Sequence, residues 1–318
     1  MAAMPATAPI AHRLRLLYSR RMHPSPISRA FERAIPLVFV LVWSTGWIVA
    51  RYARDYADAL TFLSVRYALA GAALLAFALV SRAHWPQARS EWGHALFSGI
   101  LLHGIYLGAV WWAIRHGLPA SISALLAALQ PILSTLLAPA ILGERIAALR
   151  GFGVAVGFAG LVVVLSPSLI GVSPEALAAV WPLIALNAAA MVSVTLGTFY
   201  QKRHIHSGDL RTVTVLQYAS ALAVTLPVAY LLEPMRIEWN TTMVLTMAWS
   251  VCALSIGAIA LLLLLIRRGE VSRSAQLIYL VPPTASLEAF FLFGEQLTGV
   301  QIAGMVLTVT GVALASRR

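Results

Sequence analysis

Charge is scarce in this chain. Asp, Glu, Lys and Arg together make up 11% of its 318 residues, far below the roughly 25% of a soluble domain. An ordinary water-facing surface is therefore excluded. Acidic residues are scarcer than basic ones, 12 against 23, for a net charge of +11. That excess does not point to nucleic acid, because the basic residues flank apolar blocks and build no soluble basic domain with interleaved aromatics. Cysteine occurs once, at Cys252, so an internal disulfide and a cysteine-based metal site are excluded, and its plainest reading is a small residue packed in a helix. Enzyme motifs are missing too. No HExxH, GxSxG or nucleotide-binding loop occurs, so neither an enzyme nor ATP-driven pumping by this chain is expected, and no cofactor or metal. The alternating ten-residue pattern of a membrane β-barrel is also absent.

What fills the chain instead is apolar, with 60% hydrophobic residues. They come in blocks of about 18 to 24, the length a helix needs to cross a hydrocarbon core about 30 Å thick. Ten blocks are legible, at about 34–52, 60–80, 94–114, 120–142, 150–167, 176–200, 211–232, 243–266, 271–293 and 298–315. The fold class is thus all-α integral membrane, ten transmembrane helices surrounded by the lipid bilayer. Positive charge orients them. With a cytoplasmic N-terminus, the outer loops hold Arg51, Arg54, Arg115 and Arg236, Arg66 lies inside a span, and the other eighteen of the 23 basic residues face inward. That asymmetry marks the cytoplasmic side. An even number of spans then puts both termini in the cytoplasm, in an inner (plasma) membrane. Residues 1–33, rich in Arg, Pro and Ser, read as a disordered cytoplasmic tail; a cleaved signal peptide fits less well, because nine more spans follow.

The stretch from Ile114 to Gly160 recurs from Ile266 to Gly311. After one deleted residue near Ala120 the copies match at a constant spacing of 151. Pro131 falls on Pro282, Gly143-Glu144 on Gly294-Glu295, Gly153 on Gly304 and Gly160 on Gly311; upstream, Thr61 falls on Thr212 and Arg66-Tyr67-Ala68 on Gln217-Tyr218-Ala219. The chain is therefore two copies of one unit, 34–167 and 176–315. Five spans per unit is an odd number, which forces the copies into opposite orientations. In transporters, inverted repeats of this kind bind substrate at the interface between the copies.

Candidates for that interface are polar and helix-breaking residues near mid-span. The fourth span carries Gln130-Pro131, and proline there removes a ladder donor and frees a carbonyl one turn earlier; the ninth repeats this with Pro282-Pro283 after Tyr279. Breaks at matching places in two halves point to a transport site, simple packing kinks being the plainer account. Trp43, with Trp47 on the same helix face, is too deep for the interfacial aromatic belt that Trp85, Trp92, Trp111, Trp112, Trp181 and Trp239 fit. Core packing and a cavity wall are both open for it. His103 and Tyr106 in the third span and Asn187 in the sixth complete a substrate-binding set of Trp43, His103, Tyr106, Gln130, Asn187 and Tyr279, although a buried His bonded to a carbonyl is the commoner case. Arg66 and Glu288 lie at similar depths, about 8 to 9 Å from the outer ends of their spans. A contact between them that forms and breaks would couple transport to protons; a permanent ion pair fixing two helices is the alternative. Gly153 and Gly157 permit close helix packing, within one monomer or between two, and the Gly-Glu pairs read as helix stops first.

Two five-span units, each with a Pro-broken fourth helix, a Gly-Glu step and a Gly-rich fifth helix, resemble the EamA family of the drug/metabolite transporter superfamily. The opening VWSTGWIVARY and the stretch ALTFLSVRYALAGAALL, with its Arg66, add to the likeness, which covers about 34–315. It implies a secondary transporter, often an exporter of amino acids and other small metabolites, with a cavity between the units. The second unit departs from the first, with Gln217 in the place of Arg66 and Glu288 in the place of Leu137. The expectation is a small-molecule exporter working by alternating access, for which a monomer suffices, with a passive pore or a membrane-embedded interaction protein as the alternative.

Overall fold

The computed structural model describes residues 26–142, 148–168, 174–258, 260–261, 264 and 280–315. The Gly143-Glu144 step and Tyr279 lie outside the described residues. Apart from one β-bridge between Ala57 and Ile237, no strand occurs among them. In chain order the helices are α1 (Pro26–Arg54), α2 (Ala59–Val80), α3 (Arg89–Gly99), α4 (Tyr106–Arg115), α5 (Ala120–Leu126), α6 (Leu129–Leu142), α7 (Ala148–Leu165), α8 (Pro174–His204), α9 (Leu210–Leu232), α10 (Thr241–Trp249), α11 (Val281–Phe293) and α12 (Gly299–Ala315). Six described stretches are long and apolar enough to cross a membrane: Ala59–Val80, Arg89–Arg115, Ala120–Leu137, Ala148–Leu165, Ala178–His204 and Leu210–Leu232. Thr241–Gly257, Val281–Phe293 and Gly299–Ala315 are apolar but shorter as described.

The outward faces are greasy. Val80 is 86% exposed, Leu231 78% and Phe291 77%. Water would not tolerate so much contiguous apolar surface on a monomer, whereas acyl chains require it. Trp92, Trp181 and Trp239 are exposed, as a belt demands. Trp111 is not. It is buried and stacks on Phe62 with ring centroids 4.8 Å apart, so depth near a span end did not decide which way its ring points. Cys252 departs from expectation in the opposite sense: it is exposed on its helix, not packed.

Two of the helix pairs that join the halves of the chain pack most closely. α7 crosses α12 along glycines, and a methyl group on Gly311 would overlap the backbone of Gly157, as one on Gly160 would overlap Thr308. The small residues therefore serve packing inside one chain, where backbones meet with no side chain between them. α2 packs on α9, with Tyr67 stacked on Tyr218 at 5.6 Å between centroids. These two tyrosines are equivalents in the 151-residue repeat.

Among the described residues two π-helical segments occur, Ile100–Ile105 between α3 and α4, and Ser250–Gly257 after α10. A shift of 151 residues carries the first into the second. A π turn widens the ladder and leaves carbonyls for other donors. Tyr67 Oη donates to the His103 carbonyl at 2.8 Å, Ser193 Oγ to the Leu101 carbonyl at 2.9 Å, and Ser255 Oγ to the Ser250 carbonyl at 3.1 Å.

Candidate functional site: a cleft at the broken fourth span

Pro131 has no N–H to offer the carbonyl of Ala127. The N–H of Gln130 takes it instead, at 3.1 Å, in a tighter three-residue turn. The ladder thus breaks at Ala127-Ala128, α5 ends at Leu126, and α6 restarts at Leu129 with Pro131 in its first turn, where proline is tolerated. Pro282 and Pro283 likewise occupy the first turn of α11. A cleft opens beside both starts. Trp43 and Trp47 of α1, Tyr106 of α4, Gln130 and Pro131 of α6, Val281 to Pro283 of α11, and Thr308 of α12 line it.

The cleft holds about 560 Å³ of empty space with its mouth included, but only about 40 Å³ can be reached by the centre of a water. That is room for roughly three waters, so the cleft is narrow. A groove between α2, α4, α8 and α9 is roomier, at about 330 Å³ on the same measure, but its lining is nearly all apolar, Leu60, Trp112 and Leu232 included. Small-molecule sites combine an apolar wall with a few polar anchors. The cleft at Gln130 fits that pattern better.

Of the residues proposed from sequence to bind substrate, Trp43, Tyr106 and Gln130 meet at this cleft, together with Pro131, Pro282 and Pro283. Asn187 does not line it. It is fully buried behind α5, where its Nδ2 donates to Ser123 Oγ at 2.6 Å, and Trp47 Nε1 donates to the same oxygen at 3.2 Å. Nor does His103 line it; its ring lies 4.8 Å from that of Tyr218. Trp47 and Thr308 are lining residues that the candidate set lacked. For Trp47 a signal existed, its shared face with Trp43; a lone Thr in an apolar span carries none.

Arg66 and Glu288 do not meet. Glu288 Oε1 accepts from Ser44 Oγ at 2.7 Å, and its Oε2 is buried without a partner. Arg66 is 7% exposed; its Nη2 reaches Ser255 Oγ at 3.5 Å, and its Nε has no partner. No ion pair joins the two among the described residues.

The second Gly-Glu step does more than stop a helix. Gly294, at φ +66°, ends α11 in the left-handed conformation that glycine takes without strain. Glu295 then reaches the start of α5 in the other half. Its carboxylate accepts from the N–H groups of Ala120 at 3.2 Å and Ser121 at 3.0 Å, and from Ser121 Oγ at 2.6 Å. Glu233, following α9, holds the start of α2 in the same way, through the N–H groups of Leu60 at 2.9 Å and Thr61 at 2.8 Å. Orphan N–H groups at a helix start favour an anionic acceptor. Asp58 joins this end of the bundle by accepting from the Arg236 N–H at 2.8 Å and lying 3.7 Å from Arg115. At the opposite end Glu91 accepts from the N–H groups of His206 and Ser207.

With the geometry in place, comparison with known proteins assigns the chain. Residues 34–166 and 181–317 match the EamA-like transporter family. The chain belongs to that family. It is accordingly a transporter, not an enzyme. It is 26% identical over 288 residues to the uncharacterized transporter YvbV of Bacillus subtilis strain 168, covering 90% of this chain and 92% of that one. It is 26% identical over 289 residues to a probable amino-acid metabolite efflux pump of Salmonella typhimurium, covering 87% and 92%. An uncharacterized inner membrane transporter of Escherichia coli K12, YedA, matches at 26% over 298 residues, 90% of this chain and 92% of that one. One solved structure, described simply as the crystal structure of a protein, superposes with a TM-score of 0.61 at 22% identity over 88% of this chain and 95% of the other. That likeness concerns the fold of this EamA chain alone.

Proposed function

We propose that this EamA protein is a secondary active exporter of small metabolites, amino acids or related compounds, in an inner membrane. Its two units, 34–167 and 176–315, work as inverted five-helix repeats that expose a central cleft to each side in turn, behind a cytoplasmic tail formed by residues 1–33. The observation that carries this reading is the cleft. It is walled at once by the Ala127-Ala128 break of the first unit and the Pro282-Pro283 start of the second, and broken helices at matched positions are the elements from which transport sites are built. The efflux-pump name carried by two relatives supports the substrate class, and the inner-membrane name of another supports the location.

Transport of a metabolite then requires this narrow cleft to widen. The half-helix α5 is the natural moving part, since the break at Ala127-Ala128 separates it from α6. Glu288 is the coupling candidate. One oxygen of its carboxylate is held by Ser44 and the other is buried and free, an arrangement ready to take a proton. The orientation with both termini cytoplasmic follows from the distribution of arginine; an alkaline phosphatase fused after Arg318 should stay inactive, and activity in the periplasm would reverse it.

The test of the function is flux. Purified full-length protein in proteoliposomes, loaded with radiolabelled amino acids and related metabolites, should release at least one of them with saturable kinetics and exchange it for unlabelled substrate. Flux that rises linearly with concentration and shows no exchange would replace the transporter by a passive pore.

A further inference from the structure

The groove between α2, α4, α8 and α9 shares no lining residue with the cleft, yet it is the roomier of the two. The centre of a water can reach about 330 Å³ of it, a volume within the range of small-molecule sites. Its floor holds two glycines. Gly104, in the π segment, and Gly108, one turn on, share a face, and a methyl group on either would come no closer than 3.5 Å to a neighbouring element. Unlike Gly157 and Gly311, they answer no close approach of two backbones. They leave space.

The walls are apolar and open sideways. Ile105, Val224, Val228 and Leu232 line the groove and are exposed, so its mouth faces acyl chains and not water. Trp112 forms a further part of the wall, braced by His116 with ring centroids 4.3 Å apart. One hydroxyl interrupts this lining. Thr225 is 4% exposed, and its Oγ1 is buried without a partner. Elsewhere in these helices threonine behaves differently: Thr195, Thr198 and Thr214 each donate to the carbonyl four residues back, at 2.7 Å. Packing asks for no hydroxyl here either, since Leu74, buried, stands at the equivalent place in the first unit. A hydroxyl kept unpaired in an apolar wall is costly until a partner arrives.

We infer that the groove is a second binding site, for an apolar compound dissolved in the bilayer that carries one hydrogen-bond acceptor, a ketone or ester carbonyl, which accepts from Thr225 Oγ1. The site stands apart from the cleft and does not depend on the transporter reading. A turn about χ1 between the wells open to a helical threonine swings the hydroxyl toward the groove. Depth selects the occupant. At 1.5 Å per residue Thr225 lies about 10 Å before the Leu232 end of α9, below the polar region that flanks the hydrocarbon core. A phospholipid fills that depth with methylenes, which accept nothing, so an acyl chain would cover the groove and leave the hydroxyl orphaned. A small compound can carry a carbonyl there. Because α2 and α4 belong to one half of the chain and α8 and α9 to the other, that compound touches both halves at once.

The experiment uses full-length protein in nanodiscs and tritiated benzophenone, an apolar ketone that labels its surroundings on illumination. Wild-type protein should be labelled saturably within residues 224–232, none of which lines the cleft. Acetylnaphthalene should displace the label at about 5- to 10-fold lower concentration in the bilayer than ethylnaphthalene, which has the same shape and no acceptor, the ratio given by one neutral hydrogen bond. Thr225→Val, which keeps the shape and removes the hydroxyl, should erase that ratio while ethylnaphthalene stays within about threefold of its wild-type value. Gly108→Leu, which fills the floor, should abolish the saturable label. Wild-type protein with no saturable label within residues 224–232 overturns the site without requiring any variant to fold. Equal displacement by the two naphthalenes makes the groove a seat for plain hydrocarbon such as an acyl chain and overturns the inference, as does an unchanged ratio in Thr225→Val or a full label in Gly108→Leu.

Discussion

Replacing Glu295 by alanine should loosen the start of α5 from the far half of the molecule. The carboxylate takes two backbone N–H groups and one hydroxyl there, all within 3.2 Å. Loss of a helix cap costs about 0.5 to 2 kcal/mol. Hydrogen bonds to a charged group lie at about 1.5 to 3 kcal/mol, so Glu295→Ala should destabilise the fold by about 2 to 4 kcal/mol in all. A double-mutant cycle with Ser121→Ala isolates the hydroxyl–carboxylate bond, for which we expect a coupling of about 1 kcal/mol. Couplings between neutral partners inside a membrane protein average about 0.6 kcal/mol; the charge and the 2.6 Å length place this one above that mean. The assay is equilibrium unfolding in mixed SDS and detergent micelles, following tryptophan fluorescence, with the four proteins of the cycle compared under one condition. Ser121→Ala alone keeps both backbone bonds and should cost about 1 kcal/mol. A coupling below about 0.3 kcal/mol, or a Glu295→Ala protein as stable as the parent, would refute the cap as a stabilising contact between the halves.

Three further outcomes follow from the same geometry. Gly311→Ala should cost about 1 to 3 kcal/mol, because its methyl meets the backbone of Gly157, while Gly46→Ala, with nothing within 4 Å of the new atom, should be neutral or slightly stabilising; thermal unfolding of the pair checks this, and equal melting would sink it. Gln130→Ala should weaken substrate affinity several-fold with stability unchanged, since Gln130 lines the cleft, whereas Asn187→Ala should lose about 1 to 3 kcal/mol of stability through the bond to Ser123. The opposite assignment, a silent Gln130 and an affinity loss at Asn187, would move the site. Glu288→Gln should abolish gradient-driven export while leaving substrate exchange intact, and wild-type export with unchanged pH dependence would remove Glu288 from the coupling role.

Composition and spacing carried the class of this protein. A chain with 11% charged residues and apolar blocks of spanning length has no soluble alternative, and the 151-residue recurrence of Pro, Gly and Gly-Glu positions points by itself to matched helix breaks and to the EamA family. Local chemistry was legible where a residue acts on its own backbone. Pro131 breaks its ladder one turn upstream because a missing N–H has a local consequence. Tertiary structure decided whatever depends on azimuth and on partners far along the chain. Trp111 turned inward though its depth suits the belt, and Gly153, Gly157 and Gly311 met inside one molecule, because a helix presents every azimuth and only its neighbour selects one. Glu295 found the start of α5 174 residues away in sequence, at Ser121. The matched π segments left no mark, since Ile100–Ile105 contains neither proline nor a charged residue to announce a widened turn. Arg66 and Glu288 were visible as costly charges at similar depth, but their separation was not, because depth along two helices says nothing of the angle between the faces that carry them.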